Sequence, residues 1–119
     1  MNKVQVHYQL DEKLKKEITL VKNEIRSYLM DGEIYLFGSI AKGCYSKTSD
    51  IDLLILIPYH MDSKELRYLR HELEDRIENC HISRQVDMKL YNANRYKELC
   101  QVPCFEQCIR KDLVSIINW

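Results

Sequence analysis

Asp50 and Asp52, two residues apart, stand at the mouth of an apolar run, Leu53-Leu54-Ile55-Leu56-Ile57. On an extended chain residues i and i+2 project from one face, so both carboxylates point the same way. Like charges held that close repel unless a cation sits between them. Gly38-Ser39 lies upstream, with ten residues between it and Asp50. Glycine lets a backbone approach a phosphate closely, and a serine hydroxyl and main-chain N–H groups donate to phosphate oxygens. Each signal alone is ordinary: Asp-x-Asp also serves as a polar strand entry, and Gly-Ser is common turn chemistry. Their spacing, followed at once by an apolar strand, gives them weight together. A phosphate cradle beside a carboxylate clamp is the layout of nucleotide chemistry, in which paired Mg²⁺ ions about 3.5–4 Å apart are bridged by carboxylates.

Further candidates lie nearby or one element on. Asp87, in Val86-Asp87-Met88, opposes the apolar face of its own segment, and a neighbouring sheet position would put it beside the first two carboxylates. There it would ligate a metal or accept the proton of an attacking hydroxyl; otherwise it is a solvent-facing strand charge. Lys42 and Lys47 lie in or near the loop, as phosphate-neutralising groups or as solvated lysines. Ser49 either contacts phosphate or caps the turn before Asp50. Cys100, Cys104 and Cys108 recur every fourth residue, which predicts one stripe on one helix face; small buried hydrophobes are the better reading than a metal site lacking a fourth ligand. His71 and His81 have no evident partner, and His7 and His60 carry no reading.

The elements that must position these groups follow from periodicity. Leu10, Leu14, Ile18, Val21, Ile25 and Leu29 fall three and four apart, which predicts a helix over about 8–30 with Lys13, Lys15, Lys16, Lys22 and Arg26 off its stripe. Asp31-Gly32 stops it. Residues 33–37 read as a strand, 39–42 as a short helical turn ended by Gly43, and 50–57 as a central strand covered on both faces. Pro58 ends that strand, and Asp62 with Glu65 forms a capping box for a helix striped by Leu66, Leu69, Leu73 and Ile77. Residues 85–91 alternate as a half-buried strand. Asn92 or Asn94 starts a helix to about residue 101, and Pro103 opens a last helix over 104–118, with Phe105, Ile109, Leu113 and Ile116 or Ile117 facing the core. The order predicts an α/β (α+β) fold, a small mixed β-sheet with flanking helices.

The whole chain bounds the partners. Its 119 residues suit a single domain over 1–119. Eighteen acidic and eighteen basic side chains cancel, which disfavours unassisted binding to nucleic acid or an anionic membrane. The start lacks an apolar core of signal-peptide length and the run 53–57 is too short to cross a bilayer, so a cytoplasmic location is the expectation. The odd number of cysteines, five, favours reduced thiols over a disulfide framework.

Gly38-Ser39, ten residues, then Asp50-Ile51-Asp52-Leu53, with Ala41-Lys42-Gly43 inside the loop, resembles the DNA polymerase β-like nucleotidyltransferase superfamily. It looks most like the minimal nucleotidyltransferase branch, small stand-alone proteins often found as antitoxins beside a HEPN-domain toxin. The match covers 37–53 closely and 32–91 loosely. The resemblance implies that Gly38 and Ser39 hold the triphosphate, that Asp50 and Asp52 are metal ligands, and that Asp87 is the third carboxylate. The family loop commonly has Arg where this chain has Lys42, which keeps the charge but loses the bidentate fork. The implied reaction moves AMP from ATP, with Mg²⁺, to a hydroxyl, in the antitoxin branch a tyrosine of the toxin. Two other readings use the same fold: a non-enzymatic module that masks its partner, and a transferase for a small-molecule hydroxyl such as an aminoglycoside, against which the lack of a second domain argues.

Overall fold

The computed structural model describes residues 11–110 and 112–119. Helix α1 spans Glu12–Tyr28, and Asp11 caps it by accepting the Leu14 N–H at 2.7 Å. Leu14, Ile18, Val21 and Ile25 form the expected stripe and are buried. Tyr8 and Leu10, placed on this helix from the sequence, lie outside the described residues, as does His7. The stripe is wider than expected, because Glu17 and Lys22 are buried with it. Both are satisfied: Glu17 accepts from the Ser83 N–H at 2.7 Å and its hydroxyl at 3.0 Å, and Lys22 donates to the Trp119 main-chain oxygen at 2.6 Å. Such partners are what make a buried charge tolerable.

Strand β1, Glu33–Phe37, runs into the short helix α2, Gly38–Lys42, which ends at Gly43 in the left-handed region (φ 80°). Strand β2 is Ile51–Ile57, so Asp50 lies one residue before it rather than inside it. Helix α3, Ser63–Glu78, carries the capping box: the Asp62 side chain accepts the Glu65 N–H at 2.8 Å, and Glu65 accepts the Asp62 N–H at 3.0 Å. Strand β3 is Val86–Asn92 and helix α4 is Ala93–Leu99, with Asn92 at its N-cap.

The last helix is shorter than the sequence suggests. Helix α5 covers only Phe105–Arg110, and Val114–Ser115 forms a strand, β4, that pairs antiparallel with β1. Val114 and Ile116 are buried while Ser115 is exposed, an alternation of period two that suits β-branched residues in a strand. The Ile116 N–H donates to the Ile34 carbonyl at 3.2 Å, and this pairing supplies β1 with a second neighbour. The cysteine stripe dissolves because α4 ends at Leu99 and α5 begins only at Phe105. Cys100 closes α4 and is buried, Cys104 precedes α5, and Cys108 is on α5 and exposed.

The sheet order is β3-β2-β1-β4, with β2 parallel to β3 and antiparallel to β1. This is the small mixed sheet with flanking helices that the sequence predicts. One face, from Ile34, Leu36, Ile51, Leu53, Ile55, Ile57, Met88 and Leu90, packs on α1 and α3. On the other, Phe37 and Leu54 pack with Tyr96 and Cys100. Strand alternation puts Asp52 and Asp87 on this second face.

Candidate functional site

Register brings the carboxylates together. Asp52 and Asp87 are direct partners across the parallel pair β2·β3, near the start of both strands. Across the antiparallel pair, Asp52 faces Phe37, so the chain leaves β1 at Gly38 directly against the Asp52 side chain. Gly38 has φ +79°, and a Cβ built there would stand 2.2 Å from Asp52 Oδ2. Any side chain at residue 38 would displace the carboxylate. The glycine of the Gly-Ser pair therefore has a role the sequence did not show, leaving room for Asp52 as well as freeing the backbone.

The electrostatics are those of negative charge in need of a counter-charge. Burial pushes the Asp52 carboxyl up to about 6, with the charges of Asp87 and then Asp50 adding to the effect and Lys89 opposing it. Asp50 and Asp87 are exposed, so the carboxylates line an open shelf. Among the described residues, no three His, Cys, Asp or Glu side chains converge closely enough to hold a metal ion as they stand. The donor set nonetheless suits a hard divalent cation, since carboxylate oxygens in adjacent strand positions repel each other until one binds. Asp52 and Asp87 supply the neighbouring pair, and Asp50 the charge next to it.

The loop between α2 and β2 is held from outside. Ser49 Oγ accepts the Ser46 N–H at 2.9 Å, so it closes the turn before Asp50. Arg84 donates to the Ser46 and Ser49 carbonyls at 2.9 and 2.7 Å, and lies over the Tyr45 ring at 5.7 Å from its centre. Ile51 N–H donates to the Gln85 carbonyl at 2.8 Å. The segment entering β3 thus fixes the segment entering β2, and with them Asp87 relative to Asp50 and Asp52. Lys42, at the end of α2, lies 3.9 Å from Asp112. Lys47 borders a small hollow with Asp11, Glu17 and Arg84. Ser39 is half-buried, and its carbonyl accepts the Cys44 N–H at 3.0 Å within the α2 cap.

Two residues beside the site escaped the sequence reading, Arg84 and Lys89. Arg84 acts on carbonyls 35 and 38 positions away in the chain, so no local pattern marks it. Lys89 was legible only as one residue of the polar side of an alternating strand. A hollow of about 640 Å³ lies at the opposite ends of β2 and β3, bordered by Ile57, Tyr59, His60, Asn92 and Arg95. At about 3.3 Å per strand residue it is more than 15 Å from Asp52, too far to hold the reacting atoms.

Comparison with known proteins agrees with this layout. None of the curated proteins compared with the chain matches it. A family model described as a nucleotidyltransferase domain matches residues 9–104, a span that includes Gly38, Ser39, Asp50, Asp52 and Asp87. The match covers most of the 119 residues and accords with the resemblance to the polymerase β-like superfamily, and the chain belongs to the nucleotidyltransferase domain family.

Proposed function

We propose that this protein is a Mg²⁺-dependent protein adenylyltransferase of the minimal nucleotidyltransferase branch, moving AMP from ATP to a tyrosine hydroxyl of a small helical HEPN-type toxin and so acting as an antitoxin in the cytoplasm. Membership of the family supports nucleotidyl transfer in general. The observation that carries the site is the register Asp52↔Asp87, with Gly38 pressed against Asp52. The openness of the carboxylate shelf supports a macromolecular acceptor, because Asp50 and Asp87 are exposed and a partner's surface can reach them.

In this reading Asp50, Asp52 and Asp87 hold the divalent cation, and Gly38 and Ser39 hold the triphosphate. The cation, when bound, neutralises charge on the phosphates and on the carboxylates. The acceptor hydroxyl attacks the α-phosphorus in line; an O–P bond forms, the bond to the β-phosphate oxygen breaks, and pyrophosphate leaves. Asp87, the most exposed carboxylate of the adjacent pair, is placed to take the hydroxyl proton. Catalysis then rests on positioning and charge neutralisation, which supply most of the acceleration in phosphoryl-type transfers.

The test is intact-mass measurement of a co-expressed or neighbouring helical partner after incubation with ATP and Mg²⁺. The expected result is addition of AMP by the wild type and none by Asp52→Asn. No mass shift with wild type, together with neutralisation of the partner in cells by Asp52→Asn, would replace this reading with a masking module. Drug resistance on expression would replace it with small-molecule transfer.

A further inference from the structure

Lys89 follows Asp87 by two residues in β3, so it rises from the same face of the sheet as the carboxylates. The register places it beside Leu54, two pairs along from Asp52↔Asp87. Two residues along a strand is about 7 Å, within reach of a lysine stem. The surroundings are poor in water: Lys89 is half-buried, and the face beneath it carries the buried Phe37, Leu54, Tyr96 and Cys100. Its charge is therefore only partly screened by solvent. Those neighbours are acidic on two sides. Asp52 lies toward the strand start, and from α5 comes Glu106, whose carboxyl is held below its usual range chiefly by the Tyr91 hydroxyl, with Lys89 contributing. A lysine serving only to blunt a sheet edge would extend into solvent.

We propose that Lys89 is the resident counter-charge of the carboxylate shelf, a positioning residue that keeps the nucleotide-free site weak for divalent cations, so that the cation binds well only together with the triphosphate. The inference rests on the reading of Asp50, Asp52 and Asp87 as the metal site. Its physics is Coulombic: a positive charge rising two residues along the strand from Asp87 opposes a doubly charged cation on the shelf, and the triphosphate's negative charge offsets that opposition. Lys42 already has an acidic partner of its own, Asp112 at 3.9 Å.

Mn²⁺ titrated calorimetrically into the nucleotide-free, full-length protein tests it without any need for turnover. Lys89→Met is expected to tighten Mn²⁺ binding by about three- to ten-fold, Lys89→Arg to stay within about two-fold, and Asp52→Asn to erase the gain in the Lys89→Met background. In assays, Lys89→Met should lower the Mg²⁺ concentration giving half-maximal rate while leaving the KM for ATP at saturating Mg²⁺ unchanged. An equal or weaker Mn²⁺ affinity in Lys89→Met overturns the proposal, as does a raised KM for ATP with metal affinity unchanged, which would place Lys89 on the phosphates. Binding by neither wild type nor variants would instead remove the metal-site reading itself. Should Lys89→Met not fold, Lys89→Gln carries the same expectations.

Discussion

Gly38 and Asp52 form one unit at the residue scale, and their substitutions should have opposite effects on stability while both slow transfer sharply. In Gly38→Ala the new Cβ meets Asp52 Oδ2 and the backbone keeps a positive φ, a strain of roughly 1–3 kcal/mol. Displacing a carboxylate of the shelf by about 1 Å costs on the order of 100-fold in rate. Asp52→Asn removes a charge that the fold holds at a loss. The carboxyl titrates near 6 in the folded protein, against an ordinary value of 3.8. Between these values the folded state binds the extra proton, so stability falls as pH rises through that window, and the loss is complete above about 6. Two units correspond to about 3 kcal/mol, and the group's partial exposure reduces this to about 1 kcal/mol. Asp52→Asn should therefore melt higher than wild type at pH 7.5, with the gap closing below pH 4. Thermal melts at the two pH values, beside rate measurements, check both substitutions. A lower melting temperature for Asp52→Asn at pH 7.5 would contradict the electrostatic account.

Among the elements, what was legible is what is local. The capping box of α3 lies within four residues, and the helix begins where Asp62 and Glu65 say it should. Gly43 ends α2 for the same reason, since only the nearby backbone decides a left-handed cap. The strand β4 was not legible, because helical spacing from Phe105 to Leu113 continues smoothly into Ile116. What broke it was the open side of β1, a partner about 80 residues back in the chain. Hydrogen exchange distinguishes the two: the Ile116 amide, bonded to Ile34, should be protected along with the sheet. The site shows the same limit. Asp50, Asp52 and Gly38 were legible as a motif, but the adjacency of Asp87 depends on the register of β2 and β3, and Arg84's hold on the loop depends on tertiary approach. Arg84→Ala should expose the amides of residues 46–50 to faster exchange and cost about 1 kcal/mol overall. Unchanged exchange in that loop would show that the turn bonds of Ser49 suffice without the arginine.

For the whole molecule, the two buried charges of α1 tie the sheet's outer strands to its back. Glu17 holds Ser83, in the segment that leads into β3 and Asp87. Lys22 holds the Ile117 and Trp119 main-chain oxygens, at the end of the segment that follows β4. Neither tie was legible, because a charged residue beside an apolar stripe ordinarily faces water. Removing either takes away two part-buried, charge-assisted hydrogen bonds, a loss of about 2 kcal/mol. The two should separate in function, since only one ends at a strand bearing a carboxylate of the shelf. Glu17→Ala frees the entry to β3, so Asp87 loses its fixed register with Asp52 and the rate should fall at least ten-fold. Lys22→Met frees the far edge, which bears none of the shelf's carboxylates. It should lower the melting temperature to a similar degree, several degrees for a chain of this size, while leaving the rate within two-fold at a temperature where both variants are folded. Equal losses of rate in both would mean that the sheet transmits strain from either edge, and that the shelf depends on the whole back layer rather than on the β3 tie alone.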